Sequence, residues 1–164
     1  MHMTVAGLLM LTSEPIWACK CIDHSSPSQE LANSAAVFEG YVVDISLGSR
    51  WVPSGVTRRR DCRLRIGREG EGPALCLDDD VVVTIEVTAT WKGVEPGRVR
   101  VRTPAQGSAC GFPFRIGLSY LVYASRTRQD ADLGTSICHP TKLRVDAQGD
   151  LKELGPPARD RFSE

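Results

Sequence analysis

The chain lacks net charge. Its 20 lysines and arginines are matched by 20 aspartates and glutamates, so no global field draws it toward nucleic acid or an anionic membrane. Aromatic residues are scarce, at 6% of the sequence, too few for the stacking platforms on which single-stranded nucleic acid rests. No apolar run approaches the length of a transmembrane helix; the longest, Val5 to Leu11, is far too short to span a bilayer. Gly-x-Ser-x-Gly, His-Glu-x-x-His and phosphate-loop motifs are all missing. The sequence therefore reads as a protein that is not an enzyme, holds no cofactor of its own, and has neither a nucleic-acid partner nor a transmembrane segment.

Cysteine, by contrast, is frequent and even in number: Cys19, Cys21, Cys62, Cys76, Cys110 and Cys138. Residues 1–18 resemble a cleavable leader. The apolar run is broken at Ser13-Glu-Pro15, and Ile16-Trp-Ala18 puts a small residue at −1 and an aliphatic one at −3. The protein is thus expected to be secreted, outside the cell or into a periplasm. There six cysteines imply three disulfides, with about 15 connectivities open. Cleavage after Ala18 would leave Cys19 as a free amino terminus one residue from Cys21.

The remaining chain suits one domain, 19–155, followed by a flexible tail, 156–164. Ser26-Pro27-Ser28-Gln29 reads as a capping box with proline at the first helical position, opening a short helix that ends near Asn33. Alternation of period two then marks strands over 37–45, 83–92, 98–102 and 119–125, with a weaker one at 135–138. Gly40 predicts a bulge or bend. In the second strand Val83, Ile85, Val87, Ala89 and Trp91 are expected on one face. Five short strands predict an all-β fold with short helices, an antiparallel barrel closed to remove its edges. A polar insertion lies between the first two strands, from about residue 48 to 80. It carries Arg58, Arg59, Arg60, Arg63 and Arg65, then a run of carboxylates. Cys62 and Cys76 bracket its middle, and a bridge closing that loop contributes about 3 kcal/mol, which favours Cys62–Cys76 as a staple. The arginines are candidates for binding an anionic glycan or an acidic protein surface, or form a solvated loop neutralised by their own acidic second half.

Three segments occur in order: Cys19-Lys-Cys21, Thr90-Trp-Lys-Gly93, and Arg102-Thr-Pro-Ala-Gln-Gly-Ser-Ala-Cys-Gly111. With Tyr120-Leu-Val-Tyr-Ala124 and the late Cys138, they resemble the netrin-like domain, and within it the inhibitory domain of the tissue inhibitors of metalloproteinases. The resemblance covers most of the chain from Cys19 to about Leu143. It implies a five-stranded oligosaccharide/oligonucleotide-binding (OB-fold-like) barrel, with bridges Cys19–Cys110 and Cys21–Cys138 and with Cys62 and Cys76 left for each other. It also implies that the Cys19 amine and carbonyl chelate the zinc of a target metalloprotease, the only zinc involved. Lys20 would enter the S1′ pocket, and Cys21, Ile22, Asp23, Ser108 and Ala109 would line the contact. Lys20 stands where the family has a small or hydroxylated residue, and burying an unpaired ammonium is costly. It implies a target pocket with an acidic floor, or a netrin-like binding module with no protease target. Asp23 replaces the family's proline. Two further readings attach to Cys19: a lipid-modified cysteine, and a structural zinc site with Cys21, Cys138 and His139. His24 and His139 otherwise read as plain surface residues.

Overall fold

The computed structural model describes residues 19, 21, 25–48, 62–65, 74–76, 80–104, 110–127 and 132–161. The leader, 1–18, and residues 162–164 of the tail lie outside these.

Helix α1, Pro27–Asn33, begins as its sequence dictates. The Ser26 hydroxyl accepts from the Gln29 amide and the Gln29 side chain accepts from the Ser26 amide. Its far end is capped from a distance: Lys92 Nζ donates to the carbonyls of Leu31 at 2.9 Å and Ala32 at 2.7 Å, supplying a cation where the helix leaves unpaired acceptors. Gly93 follows with φ +82°, and a Cβ there would lie 2.0 Å from the Ala35 carbonyl. The Trp-Lys-Gly segment thus clamps the helix to the sheet, which explains its residue types physically.

Five strands form a closed, OB-fold-like barrel: β1 (Ala36–Gly48), β4 (Asp80–Lys92), β5 (Gly97–Pro104), β6 (Ser119–Arg126) and β7 (Leu133–Gly134). The ring runs β1-β4-β5-β7-β6 and back to β1. Every pairing in it is antiparallel except β5 with β7, which is parallel. The fifth strand is not 135–138 but 133–134. Two hairpin strands, β2 (Cys62–Arg65) and β3 (Ala74–Cys76), form inside the insertion, with Cys62 opposite Cys76. Cross-strand partners have α-carbons about 4.5–5.5 Å apart, within the span of a disulfide; the sulfur positions of this pair lie outside what is described. Strand β8 (Lys142–Leu143) adds to β6. A 3₁₀ turn, Arg144–Asp146, leads into helix α2 (Gln148–Leu154). The tail is not wholly free: β9 (Arg159–Asp160) pairs with Ala89 and Thr90 of β4, and the Arg161 amide donates to the Thr88 carbonyl.

Phe38, Val42, Val83, Ile85, Val87, Val101, Tyr120 and Val122 fill the barrel. A second apolar layer lies outside it, where Val37, Leu121, Tyr123 and Ala147 meet Leu31, Trp91, Leu151 and Leu154 beneath the two helices. Strand β6 is therefore buried on both faces. Gly40 lies opposite a bulge rather than in one: the register shifts between Glu39 and Gly40, the extra residue Thr88 is on β4, and a Cβ on Gly40 would lie 2.5 Å from the Glu86 carbonyl oxygen.

Ala89 and Trp91 depart from the sequence expectation, which put them on the face of Val83, Ile85 and Val87. The β1–β4 register steps from Gly40↔Val87 to Glu39↔Ala89, skipping Thr88, and from Phe38↔Thr90 to Val37↔Lys92, skipping Trp91. Each skipped residue shifts the side-chain phase. Thr90 is consequently buried, and Trp91 joins the outer layer rather than the barrel interior.

Candidate functional site: the anchored chain start

Cys19 is bridged to Cys110 with the α-carbons 5.7 Å apart, and Cys21 to Cys138 with 5.1 Å. These are the pairings the resemblance implies. They rule out the structural zinc site, since Cys19, Cys21 and Cys138 all spend their sulfurs on bridges. A thioether-linked lipid on Cys19 is excluded in this state for the same reason.

The two anchor points are fixed to the barrel and to each other. Cys110 adopts φ +62°, a left-handed conformation costly for a residue with a Cβ. Its carbonyl accepts from the Ile137 amide at 3.0 Å, tying the segment after β5 to the turn that carries Cys138. On the Cys110 side, the buried Thr103 hydroxyl accepts from the Phe112 amide at 2.7 Å. This closes the Thr-Pro-to-Cys-Gly segment on itself. Phe112 and Phe114 then pack against Tyr120 with centroids 5.8 and 4.9 Å away, stacking edge-on as aromatic quadrupoles favour. The Tyr120 hydroxyl accepts from the Arg115 amide at 3.0 Å, and burial pushes its pKa up.

On the Cys138 side, His139 is half-buried and bonded on both ring nitrogens, not a plain surface residue. The Ser136 amide donates to Nδ1 at 3.2 Å, and Ser125 Oγ lies 3.1 Å from Nε2. A backbone N–H can only donate, so Nδ1 is the acceptor, and in the neutral ring Nε2 carries the proton. The Ser136 hydroxyl accepts from the Cys138 amide at 3.2 Å. Beneath this turn Thr135 and Thr141 are buried, 3.0 Å apart, and each hydroxyl lies within bonding distance of the Tyr123 carbonyl. Tyr123 donates its own hydroxyl to Asp150, which also pairs with Lys142 at 2.9 Å. Burial, with the Asp150 carboxylate beside it, raises the Tyr123 phenol well above its ordinary value.

Of the sequence-predicted contact residues, the structure describes Cys19 and Cys21, each bridged to a segment that is hydrogen-bonded to the other's. Lys20, Ile22, Asp23, Ser108 and Ala109 lie outside the described residues, as do His24 and Arg58, Arg59 and Arg60. Arg63 and Arg65 fall on strand β2. The supporting hydroxyls of Thr103, Thr135, Ser136 and Thr141 escaped the sequence reading. Only Thr103 carried a signal, as part of the quoted Thr-Pro segment. No helix among the described residues is long and apolar enough to cross a membrane.

Compared with known proteins, the chain matches no family model and no curated protein.

Proposed function

We propose that the protein is a secreted inhibitor of a zinc metalloprotease, of the tissue-inhibitor kind, acting through a mature chain start at Cys19. The observation that carries this reading is the double tether: two cysteines one residue apart are bridged to two separate segments that are themselves hydrogen-bonded together.

A catalytic zinc keeps one coordination position for water. The α-amine and carbonyl of one residue can displace that water as a five-membered chelate. The amine must be neutral to ligate. Its pKa of about 7.7–8.0 makes deprotonation cheap at neutral pH, and the metal drives it. A terminus held at Cys19 and Cys21 has little conformational freedom left to lose on docking. Lys20 would follow the chelating residue into the S1′ pocket, so the target is a protease whose pocket carries a carboxylate to pair the ammonium. Ile22, Asp23, Ser108 and Ala109 would flank it. In this account the leader, 1–18, is removed on export, and zinc belongs to the partner alone.

A second reading is favoured by the hairpin in the insertion, where Arg63 and Arg65 fall on strand β2. Here the protein is a netrin-like binding module that takes an anionic glycan or acidic protein surface through Arg58, Arg59, Arg60, Arg63 and Arg65.

Mature protein beginning at Cys19, assayed against a panel of zinc endopeptidases, distinguishes them. The inhibitor reading expects inhibition of at least one protease, abolished by N-acetylation or by one added residue before Cys19. Absence of inhibition across a panel that includes acidic S1′ pockets, together with heparin retention lost in Arg58→Ala/Arg60→Ala, would favour the binding module.

A further inference from the structure

The two register slips in β4 do more than reposition Trp91. The slip at Thr88 leaves Thr88, Ala89 and Trp91 all on the outer side of β4 beside Glu39, and the 3₁₀ turn, helix α2 and the returning tail wall them in. The result is an open cavity of about 320 Å³, at the lower end of the size range of small-molecule sites.

Its lining has two chemical halves. The apolar half is Trp91, Ala89, Leu151 and Pro157. Trp91 donates its indole N–H to the Gly155 carbonyl at 2.8 Å, so the remainder of the ring is what it offers a ligand. The polar half is built on Glu39 and Arg144. Arg144 Nε donates to Glu39 Oε2 at 2.7 Å, with the side chains 37% and 22% exposed. Among the described residues, the terminal guanidinium nitrogens and Glu39 Oε1 have no further partner. The pair therefore presents N–H donors and a carboxylate oxygen side by side, partly screened from water. Asp160 also lines the cavity but is already engaged in an interaction of its own.

The Arg144–Glu39 pair is neutral overall, so a simple anion meets the Glu39 carboxylate beside the guanidinium, and a simple cation meets the guanidinium beside the carboxylate. A ligand carrying both charges on substituents of one carbon, with an apolar side group, matches the ion pair and the apolar half together. We propose that this cavity binds a free α-amino acid with an aromatic or branched apolar side chain. Its carboxylate sits on Arg144, its ammonium on Glu39, and its side chain against Trp91, Leu151 and Pro157. A phenylalanine-sized solute fits within the volume, and charge-assisted bonds to a half-buried pair are the strong kind.

The test is a titration of the ¹⁵N-labelled protein with L-phenylalanine, reading the Trp91 indole and Arg144 Nε–H resonances. The expected result is saturable shifts confined to the cavity. Glycine, phenylalaninamide and N-acetylphenylalanine, lacking the side chain, the carboxylate and the ammonium respectively, each bind about tenfold more weakly or worse. Arg144→Gln and Glu39→Gln, confirmed folded by an otherwise unchanged amide spectrum, weaken L-phenylalanine by a similar factor. No saturable shift in the wild-type protein overturns the proposal. So do equal responses to all four solutes, or binding unaffected in both variants.

Discussion

Cutting one of the two bridges at the chain start has a cost that can be worked from the connectivity. Cys21–Cys138 spans 117 residues in sequence, yet it does not close a loop of that size while Cys19–Cys110 is intact. The shortest covalent circuit through it runs two residues back to Cys19, across to Cys110, and 28 residues on to Cys138. A circuit of roughly 30 residues is worth about 3.5 kcal/mol by chain entropy. Cys19–Cys110 closes the same circuit. Replacing either pair by serine should therefore cost about the same 3.5 kcal/mol. The surviving bridge then closes its full loop, with a separation of 91 or 117, and its removal costs about 4.7 kcal/mol. The quadruple variant should lose about 8 kcal/mol, about 1 more than twice the single-pair loss. Against a typical domain stability of about 5–15 kcal/mol, that leaves the fold near its threshold. Urea unfolding under non-reducing conditions, compared at constant slope, reads all three values. A loss below about 1 kcal/mol for either pair, or a quadruple variant no worse than a single pair, would refute the reasoning.

Tyr123→Phe leaves the buried Asp150 without its phenol donor and should cost about 1–3 kcal/mol in thermal or urea unfolding. The same phenol sets an alkaline limit. Its folded pKa is raised by burial and by Asp150, as that of Tyr120 is by burial. The stabilisation is thus fully present below the unfolded tyrosine pKa of about 10 and is lost as pH climbs above it; an alkaline unfolding series should show this loss, diminished in Tyr123→Phe. Gly93→Ala and Gly97→Ala both place a side chain at positive φ, but only the first drives a Cβ to 2.0 Å from a carbonyl oxygen while the second meets nothing within 4 Å. Gly93→Ala should therefore lower the melting temperature much more, and equal losses would remove Gly93 from the helix clamp. Hydrogen bonds from Arg98 and Arg161 hold the Glu86 carboxyl below its usual range. Its contribution is present above the unfolded carboxyl pKa and lost as pH falls through the folded one. NMR titration should place Glu86 low, and Arg98→Ala should move it up.

Sequence was most informative where the structure is set locally. The capping box of α1 is written in four consecutive residues, and the inward face of β4 in the alternation of Val83, Ile85 and Val87. Nothing local announces the two register slips further along that strand, because Thr88 and Trp91 are excluded from pairing by the geometry of β1, not by their own preference. The fifth barrel strand is two residues long, and its parallel pairing with β5 is a tertiary fact that leaves no periodic trace. Arg159 and Asp160 read as tail because their strand state comes from β4's free edge and from the pairing of Arg161 with Glu86. In the insertion, charged residues disguised β2 as loop. At the chain start, composition gave an even cysteine count but not the partners; the Cys19–Cys110 and Cys21–Cys138 pairings were readable only through the family resemblance. The buried hydroxyls of Thr135 and Thr141 were invisible because threonine is ordinary on a strand surface, and only a network that satisfies both makes their burial affordable.

The most direct test of the tethered chain start, on which the proposed zinc chelation depends, is intact-mass and non-reducing peptide mapping of the mature protein. The account predicts a chain that begins at Cys19 with an unmodified amine, a Cys19 peptide linked to Cys110, and a Cys21 peptide linked to Cys138. A mature protein that keeps leader residues, carries an acyl group on Cys19, or links either sulfur elsewhere would contradict it.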